Sequence, residues 1–293
     1  MQAVLYYISL PFIYLFSYLP IGVLYKISDF LFYINYNFIK YRRKVVHTNL
    51  INSFPNSSNS YINEIERNFF GILTDYMVEV VKSFTISKKE ILSKGTIIEN
   101  PEMTALAKAG KNIIISVGHV GNQELVCLYI SALEQFPFTL KAAYHQLANP
   151  YFEKLFYNSR VRFGAEMYPM RDSYGAIAKQ DLNSPFAFFL VNDQSAPPKR
   201  SYWSHFLNQE TGFYKGMAVF AQNYDMPVFF MHVKRPKRGH FELSFQKITD
   251  RPTEIIESEI LEQHVKYLEK NILEDPQIWL WSHKRWKHKR PKN

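Results

Sequence analysis

The stretch that decides the fold is Asn112-Ile113-Ile114-Ile115-Ser116-Val117-Gly118-His119-Val120-Gly121-Asn122-Gln123-Glu124. Its first part is a short β-branched run bounded by glycine, which predicts a strand buried on both faces. Residues 122–136 carry helical patterning, so a strand passes into a helix through a loop holding two glycines and a histidine.

The same alternation continues outward. Strands are expected over 138–144 and 186–192, and two more over 227–233 and 241–247, around a basic turn at 234–240. Helices are expected over 150–162, 214–223 and 253–273. Upstream, a polar loop at 56–60 precedes an amphipathic helix over 61–83. Buried strands alternating with helices predict an α/β fold with a largely parallel sheet flanked by helices. Such sheets gather their sites in loops at the carboxyl ends of the strands. No repeat or low-complexity linker divides residues 26–293, which are expected to form one domain.

Residues 1–25 read differently. They contain no charged side chain and carry five tyrosines together with Pro11 and Pro20. This length of apolar chain suits a bilayer, and tyrosine favours its interface, so a hydrophobic membrane anchor or interfacial helix is expected. No basic residue precedes the stretch and no small-residue cleavage site ends it, so a cleaved signal peptide fits poorly. If the stretch spans, the Lys/Arg bias after it puts the body in the cytoplasm.

The charge locates a second feature. Against 26 acids the chain has 35 lysines and arginines, a formal charge of +9. Lys40, Arg42, Arg43 and Lys44 form one cluster, and six cations in residues 283–293 form another. Without the six the charge falls to +3, and without the other four it falls to −1. A body so near neutral argues against nucleic acid. Clusters beside apolar and aromatic sequence suit an anionic membrane surface or an acidic partner. The single cysteine, Cys127, excludes an intramolecular disulfide and a multi-thiolate zinc site.

A histidine followed five residues later by an acid could form a base and its orienting carboxylate, but that spacing is cheap. Nine histidines and 26 acids in 293 residues give about one chance match, and three occur: His119/Glu124, His205/Glu210 and His264/Glu269. The last pair lies within one helix, where five residues turn through about 140° beyond a full turn. His205 and Glu210 sit in a polar stretch with no strand signal to hold them together. Only His119 directly follows a buried strand, between Gly118 and Gly121, with Glu124 in the first turn of the next helix. There the helix N-terminus also favours negative charge.

The Gly118-to-Glu124 block resembles the H-x4-D/E block of the glycerolipid acyltransferase superfamily. More narrowly it is similar to the late acyltransferases of lipid A biosynthesis, the lauroyl/myristoyl transferases. The likeness continues in order over roughly residues 20–290. Asn49-Leu50 through Phe54-Pro55 resembles that family's N-L-x-x-x-F-P block. Tyr144 through Asn149-Pro150, with Arg160 through Gly164, resembles its second block, and Asn192-Asp193-Gln194 its D-Q block. Pro276-Gln277-Ile278-Trp279-Leu280-Trp281-Ser282-His283-Lys284-Arg285-Trp286-Lys287 resembles the tryptophan-rich terminus and is the most specific match. Gln123, Gln277 and Asn208 depart from the family pattern, which has glycine in the place of Asn208.

The resemblance implies a glycerolipid acyltransferase-like fold and transfer of a fatty acyl group from an acyl carrier protein thioester to a hydroxyl of a lipid A precursor. A neutral His119 would take the hydroxyl proton. Glu124 would orient the ring and stabilise the imidazolium. The oxyanion needs donors, for which the loop amides near Gly121 and Asn122 serve, or Arg162 first and Arg160 second. Asp193, after a strong strand, would position substrate or an arginine. No G-x-S-x-G elbow is present, so direct transfer without a covalent intermediate is expected. No metal or nucleotide cofactor is called for. The implied partners are acyl carrier protein, a phosphorylated glycolipid acceptor and the anionic surface of the bacterial inner membrane, with the site facing the cytoplasm. A different membrane-lipid acceptor (a lysophospholipid, glycosylated phospholipid or aminolipid) is the alternative, and a non-catalytic membrane-associated protein stands behind it.

Overall fold

The computed structural model describes residues 2–179 and 184–291. Two apolar helices open the chain, α1 (Gln2–Tyr18) and α2 (Ile21–Ile34), the latter prolonged by a π-helical turn over Asn35–Ile39. Pro20 separates them, because it lacks an N–H and disfavours helix at the residue before it. Next come α3 (Arg43–Ser53), α4 (Asn59–Ser83) and α5 (Lys88–Leu92). The α/β part follows as β1 (Gly95–Ile97), α6 (Pro101–Lys108), β2 (Ile113–Val117), α7 (Gln123–Ala132), β3 (Thr139–Tyr144), α8 (Pro150–Val161) and β4 (Glu166–Pro169). It continues with α9 (Ser173–Ala178), β5 (Phe186–Val191), a hairpin of β6 (Ser201–Phe206) and β7 (Gln209–Tyr214), and α10 (Gly216–Asn223). Strands β8 (Val228–Lys234) and β9 (Phe241–Thr249) precede the long α11 (Glu257–Glu274).

Seven strands form one sheet in the order β1-β9-β8-β2-β5-β3-β4. All neighbours are parallel except β8 and β9, whose short connection leaves no room for a crossover and returns the chain antiparallel. Helices cover both faces. Along β2, Ile113, Ile115 and Val117 enter the larger core with α4 and α7, while Ile114 enters a second core with Met217 and Ala218 of α10. The α/β fold with a largely parallel sheet is therefore the one expected, with element ends within a few residues. The sheet's edge strands β1 and β4, at three and four residues, carry too little pattern to be read from sequence.

The polar stretch containing His205 and Glu210 corrects one expectation. It is the β6/β7 hairpin, and those two residues stand directly opposite each other across it. The turn consists of Leu207 (φ 48°) and Asn208 (φ 61°), both left-handed, as a two-residue hairpin turn requires. Asparagine tolerates that conformation, which explains how it replaces the family's glycine. Its amide also bonds the Ser53 carbonyl at 2.8 Å.

The N-terminal apolar stretch is two helices, and α2 runs across residue 25. Among the described residues no single helix is long and apolar enough to cross a membrane. Gln2–Tyr18 and Ile21–Ile39 satisfy length and composition only together, and they are bent by 117°. Their outer side leaves Leu5, Ile8, Phe12, Leu15, Phe30 and Phe38 exposed. Their inner side packs on α4, where Ser28 Oγ donates to Asp75 at 2.7 Å and Tyr25 Oη to Glu79 at 2.8 Å.

Candidate active site

β2 and β5 are adjacent, parallel and in register, with Val117 opposite Val191. His119 and Asp193 each lie two residues past that rung, so the two loops carry them off the sheet side by side. The Asp193 carboxylate accepts from the His119 backbone N–H at 2.7 Å and pairs through its other oxygen with Nδ1 of the His119 ring. Trp279 Nε1 donates to the same carboxylate at 2.8 Å. Gly118 makes this approach possible: a Cβ there would lie 2.4 Å from Leu268 and 3.0 Å from Asp193 Oδ2.

The pair is asymmetric in burial, the His119 side chain being 26% exposed and that of Asp193 2%. Burial pushes the Asp193 carboxyl up, but the His119 charge and the bonds from His119 and Trp279 outweigh it. The carboxyl therefore lies well below the usual carboxylate range. Burial alone would lower the His119 pKa, yet the neighbouring Asp193 charge and hydrogen bond raise it above the ordinary histidine value. With Nδ1 held by Asp193, Nε2 is the accepting ring nitrogen, and the Gln194 amide donates to it at 3.2 Å.

That nitrogen faces a cavity of about 370 Å³ at the carboxyl ends of β2, β3 and β5. Cys127, Ala142, Met167, Tyr174 and Phe189 line it, together with Glu124, Arg160 and Gln194. Burial pushes the Cys127 thiol up to about 12, with Glu124 adding to the effect, so it stays protonated.

Glu124 makes a different contact from the one expected. Its carboxylate accepts from Arg160 Nε at 2.8 and 3.2 Å and from Nη2, a fork-to-fork pair in the wall of the cavity. The carboxylate that orients His119 is Asp193. Arg160 Nη1 is buried with no hydrogen-bond partner among the described residues.

Of the other expected contributors, the Gly121 N–H and both Arg162 Nη groups are committed elsewhere, and Asn122 has its side chain engaged. Gly121 (φ 73°) donates its N–H to the Ile278 carbonyl at 3.0 Å, and Asn122 Nδ2 donates to Glu79 at 2.9 Å. Arg162 donates to the carbonyls of Phe84 at 3.0 Å and Ser83 at 2.9 Å, closing the C-terminus of α4 rather than reaching the cavity. Two residues turn a helix by about 200°, so when Arg160 faces the cavity Arg162 faces away.

The tryptophan-rich terminus completes the centre. Val120 and Trp279 form an antiparallel bridge, and Leu280 N–H donates to the His119 carbonyl at 3.1 Å. On its far side Asn49 Nδ2 donates to the Trp281 carbonyl at 2.8 Å and the His283 carbonyl at 3.1 Å. The blocks at 49–55, 118–124, 192–194 and 276–287 thus meet in one place. Bacterial lipid A biosynthesis acyltransferase is the family whose model matches, over residues 1–288. The chain belongs to this family. It is an acyltransferase of lipid A biosynthesis. No curated protein matches the acyltransferase by sequence. Sequence reasoning missed three contacts of the centre, Asp193 on His119, Trp279 on Asp193 and Gln194 on His119. The residues of all three lie in the motif blocks, but nothing in one sequence says that the blocks touch.

Proposed function

We propose that the acyltransferase moves a fatty acyl group from an acyl carrier protein thioester to a hydroxyl of a lipid A precursor, with His119 as general base. The observation that carries this reading is the His119–Asp193 pair, its histidine at the edge of a cavity with an apolar floor. Nε2 takes the proton as the hydroxyl oxygen attacks the thioester carbonyl, help worth about 10²–10⁴-fold. Asp193 fixes the ring and stabilises the imidazolium. The carbonyl oxygen gains negative charge opposite Arg160 Nη1, which Glu124 holds in place. Collapse breaks the C–S bond, and the departing thiolate takes the proton back from His119. The products are the ester and the free carrier thiol, with no acyl-enzyme. The Gln194 amide gives way to the acceptor hydroxyl at Nε2.

The exposed apolar side of α1 and α2, followed by the basic residues 40–44, supports attachment to the cytoplasmic surface of the bacterial inner membrane. Two helices bent by 117° suit lying in the interface, their apolar side in the lipid and their cations at anionic headgroups. The acceptor and the growing acyl product would be presented there.

The test is purified protein with acyl carrier thioesters of several chain lengths and a set of lipid acceptors. Acylation of a lipid A precursor, abolished in His119→Ala, is the expected result. Transfer by His119→Ala at the parent rate would overturn the assignment of the base. Transfer only to a phospholipid would overturn the acceptor. Phe12→Asp with Leu15→Asp should weaken flotation with anionic vesicles, and unchanged flotation would remove the interfacial reading.

A further inference from the structure

The two basic clusters, some 240 residues apart in the chain, come together in space. Lys44 on α3 and Lys284, Lys287 and Lys289 of the terminal segment line one groove of about 890 Å³. A second, of about 580 Å³, shares Lys44 and Val45 with it and adds Lys40. We infer that this continuous groove is the docking surface for the acidic face of the protein that delivers the acyl thioester. The inference rests on the carrier-donor reading proposed above.

Three observations lead there. First, the arginines are already occupied. Arg43 pairs with Glu66 at 2.6 Å, Arg290 with Glu210 at 3.4 Å, and Arg42 donates to the Ser282 carbonyl at 3.0 Å. Among the described residues no ion pair is made by Lys40, Lys44, Lys284, Lys287 or Lys289, and all five are exposed. Lysine is a hydrated point charge on a flexible stem, suited to a partner's scattered carboxylates. Bidentate capture of a phosphate is the task of arginine. Second, the surface is concave, which suits an acidic helix and not a flat bilayer; the apolar contact with lipid lies on α1 and α2.

Third, the groove and the reacting histidine share a wall. Leu280 bonds the His119 carbonyl, and Lys284 follows four residues later, so the extended chain separates them by at most about 14 Å. Asn49 and Arg42 of the other wall hold the Trp281, Ser282 and His283 carbonyls between. A carrier seated in the groove thereby presents its thioester arm to the His119 cavity.

The experiment uses the full chain carrying Lys284→Glu, Lys287→Glu and Lys289→Glu, with an acyl carrier thioester and an acyl-pantetheine thioester of the same acyl group as donors. Opposite-charge steering of this kind is worth about 10–10³-fold in association. At low salt the variant should raise KM for the carrier donor at least ~10-fold. Turnover of the pantetheine donor, KM for the lipid acceptor and flotation with anionic vesicles should all stay as in the parent. An unchanged carrier KM overturns the inference. So does an equal loss with both donors, a raised acceptor KM, or lost flotation, which would make the groove a lipid surface. If the parent protein transfers from neither donor, the functional reading itself fails, an outcome separate from all of these.

Discussion

His119 and Asp193 are joined twice, once through the main-chain N–H and once through the ring, so neither can move without the other. The carboxylate raises the ring's pKa above its ordinary value, and only the neutral ring can accept a proton. Activity should therefore rise with pH through a midpoint above 6.5. In Asp193→Asn the raising charge is gone and burial dominates, which moves the midpoint to lower pH. The plateau should fall by about 10²–10⁴-fold as the ring loses its tautomer and counter-charge. A profile of kcat/KM between pH 5 and 9 reads both effects, and an unmoved midpoint would show that Asp193 is not the controlling carboxylate.

Arg160 and Arg162 should separate cleanly. Arg160→Lys breaks the two-pronged contact with Glu124 and withdraws Nη1 from the cavity. A loss of about 10²–10³-fold in kcat is expected, the range for removing one oxyanion donor. Arg162→Lys, which weakens the closure of α4, should cost about 1 kcal/mol of stability with kcat retained. Kinetics beside urea midpoints for both proteins check this, and a kcat loss confined to Arg162→Lys would reverse the assignment.

His264 is fully buried, with Nδ1 on the Ser116 hydroxyl at 2.7 Å and Nε2 without a partner among the described residues. Burial pushes its pKa down to about 4 against an ordinary 6.5. As pH falls below 6.5 the unfolded chain binds a proton that the folded chain refuses, so stability is lost in that window. From pH 7 to pH 5 the loss is on the order of 2 kcal/mol. His119 has the opposite shift, so the useful quantity is the difference between parent and variant. His264→Asn should be less stable at pH 7 and should lack this part of the acid dependence in denaturant titrations.

The Leu207-Asn208 turn predicts an order of stabilities. Asn208→Gly keeps the left-handed turn and loses the bond to Ser53, at a cost of about 1 kcal/mol. Asn208→Val adds backbone strain of about 1–2 kcal/mol to the same loss. Thermal melts of the three proteins should rank parent, glycine, valine, and a valine variant melting with the parent would show that the turn is not held left-handed.

Most of the scaffold was legible because β5 is an unbroken apolar run, β2 and β8 are predominantly apolar, and α4, α8 and α11 carry strong periodicity. The β6/β7 hairpin was not: its polar residues carry no strand alternation, and its turn signal, Leu207-Asn208, lacks the usual glycine. Four residues of the candidate site, His119, Glu124, Arg160 and Asp193, were legible in the sequence, but the way they pair was not. His119 and Glu124 are five apart in sequence, whereas Asp193 is 74 away and reaches His119 through a strand pairing that no local pattern encodes. The placement of the two arginines was hidden for a similar reason. Proximity to the Phe163-Gly164 turn favoured Arg162, while the rotation of α8 puts Arg160 in the cavity wall and Arg162 on the end of α4.

One consequence concerns how the centre is put together. Asp193 takes its third donor from Trp279, 86 residues further along the chain. The centre is therefore braced from three separate parts of one chain, no two of them neighbours in sequence. A molecule that has paired β2 with β5 but has not yet seated the tryptophan-rich segment holds His119 through the Asp193 loop alone.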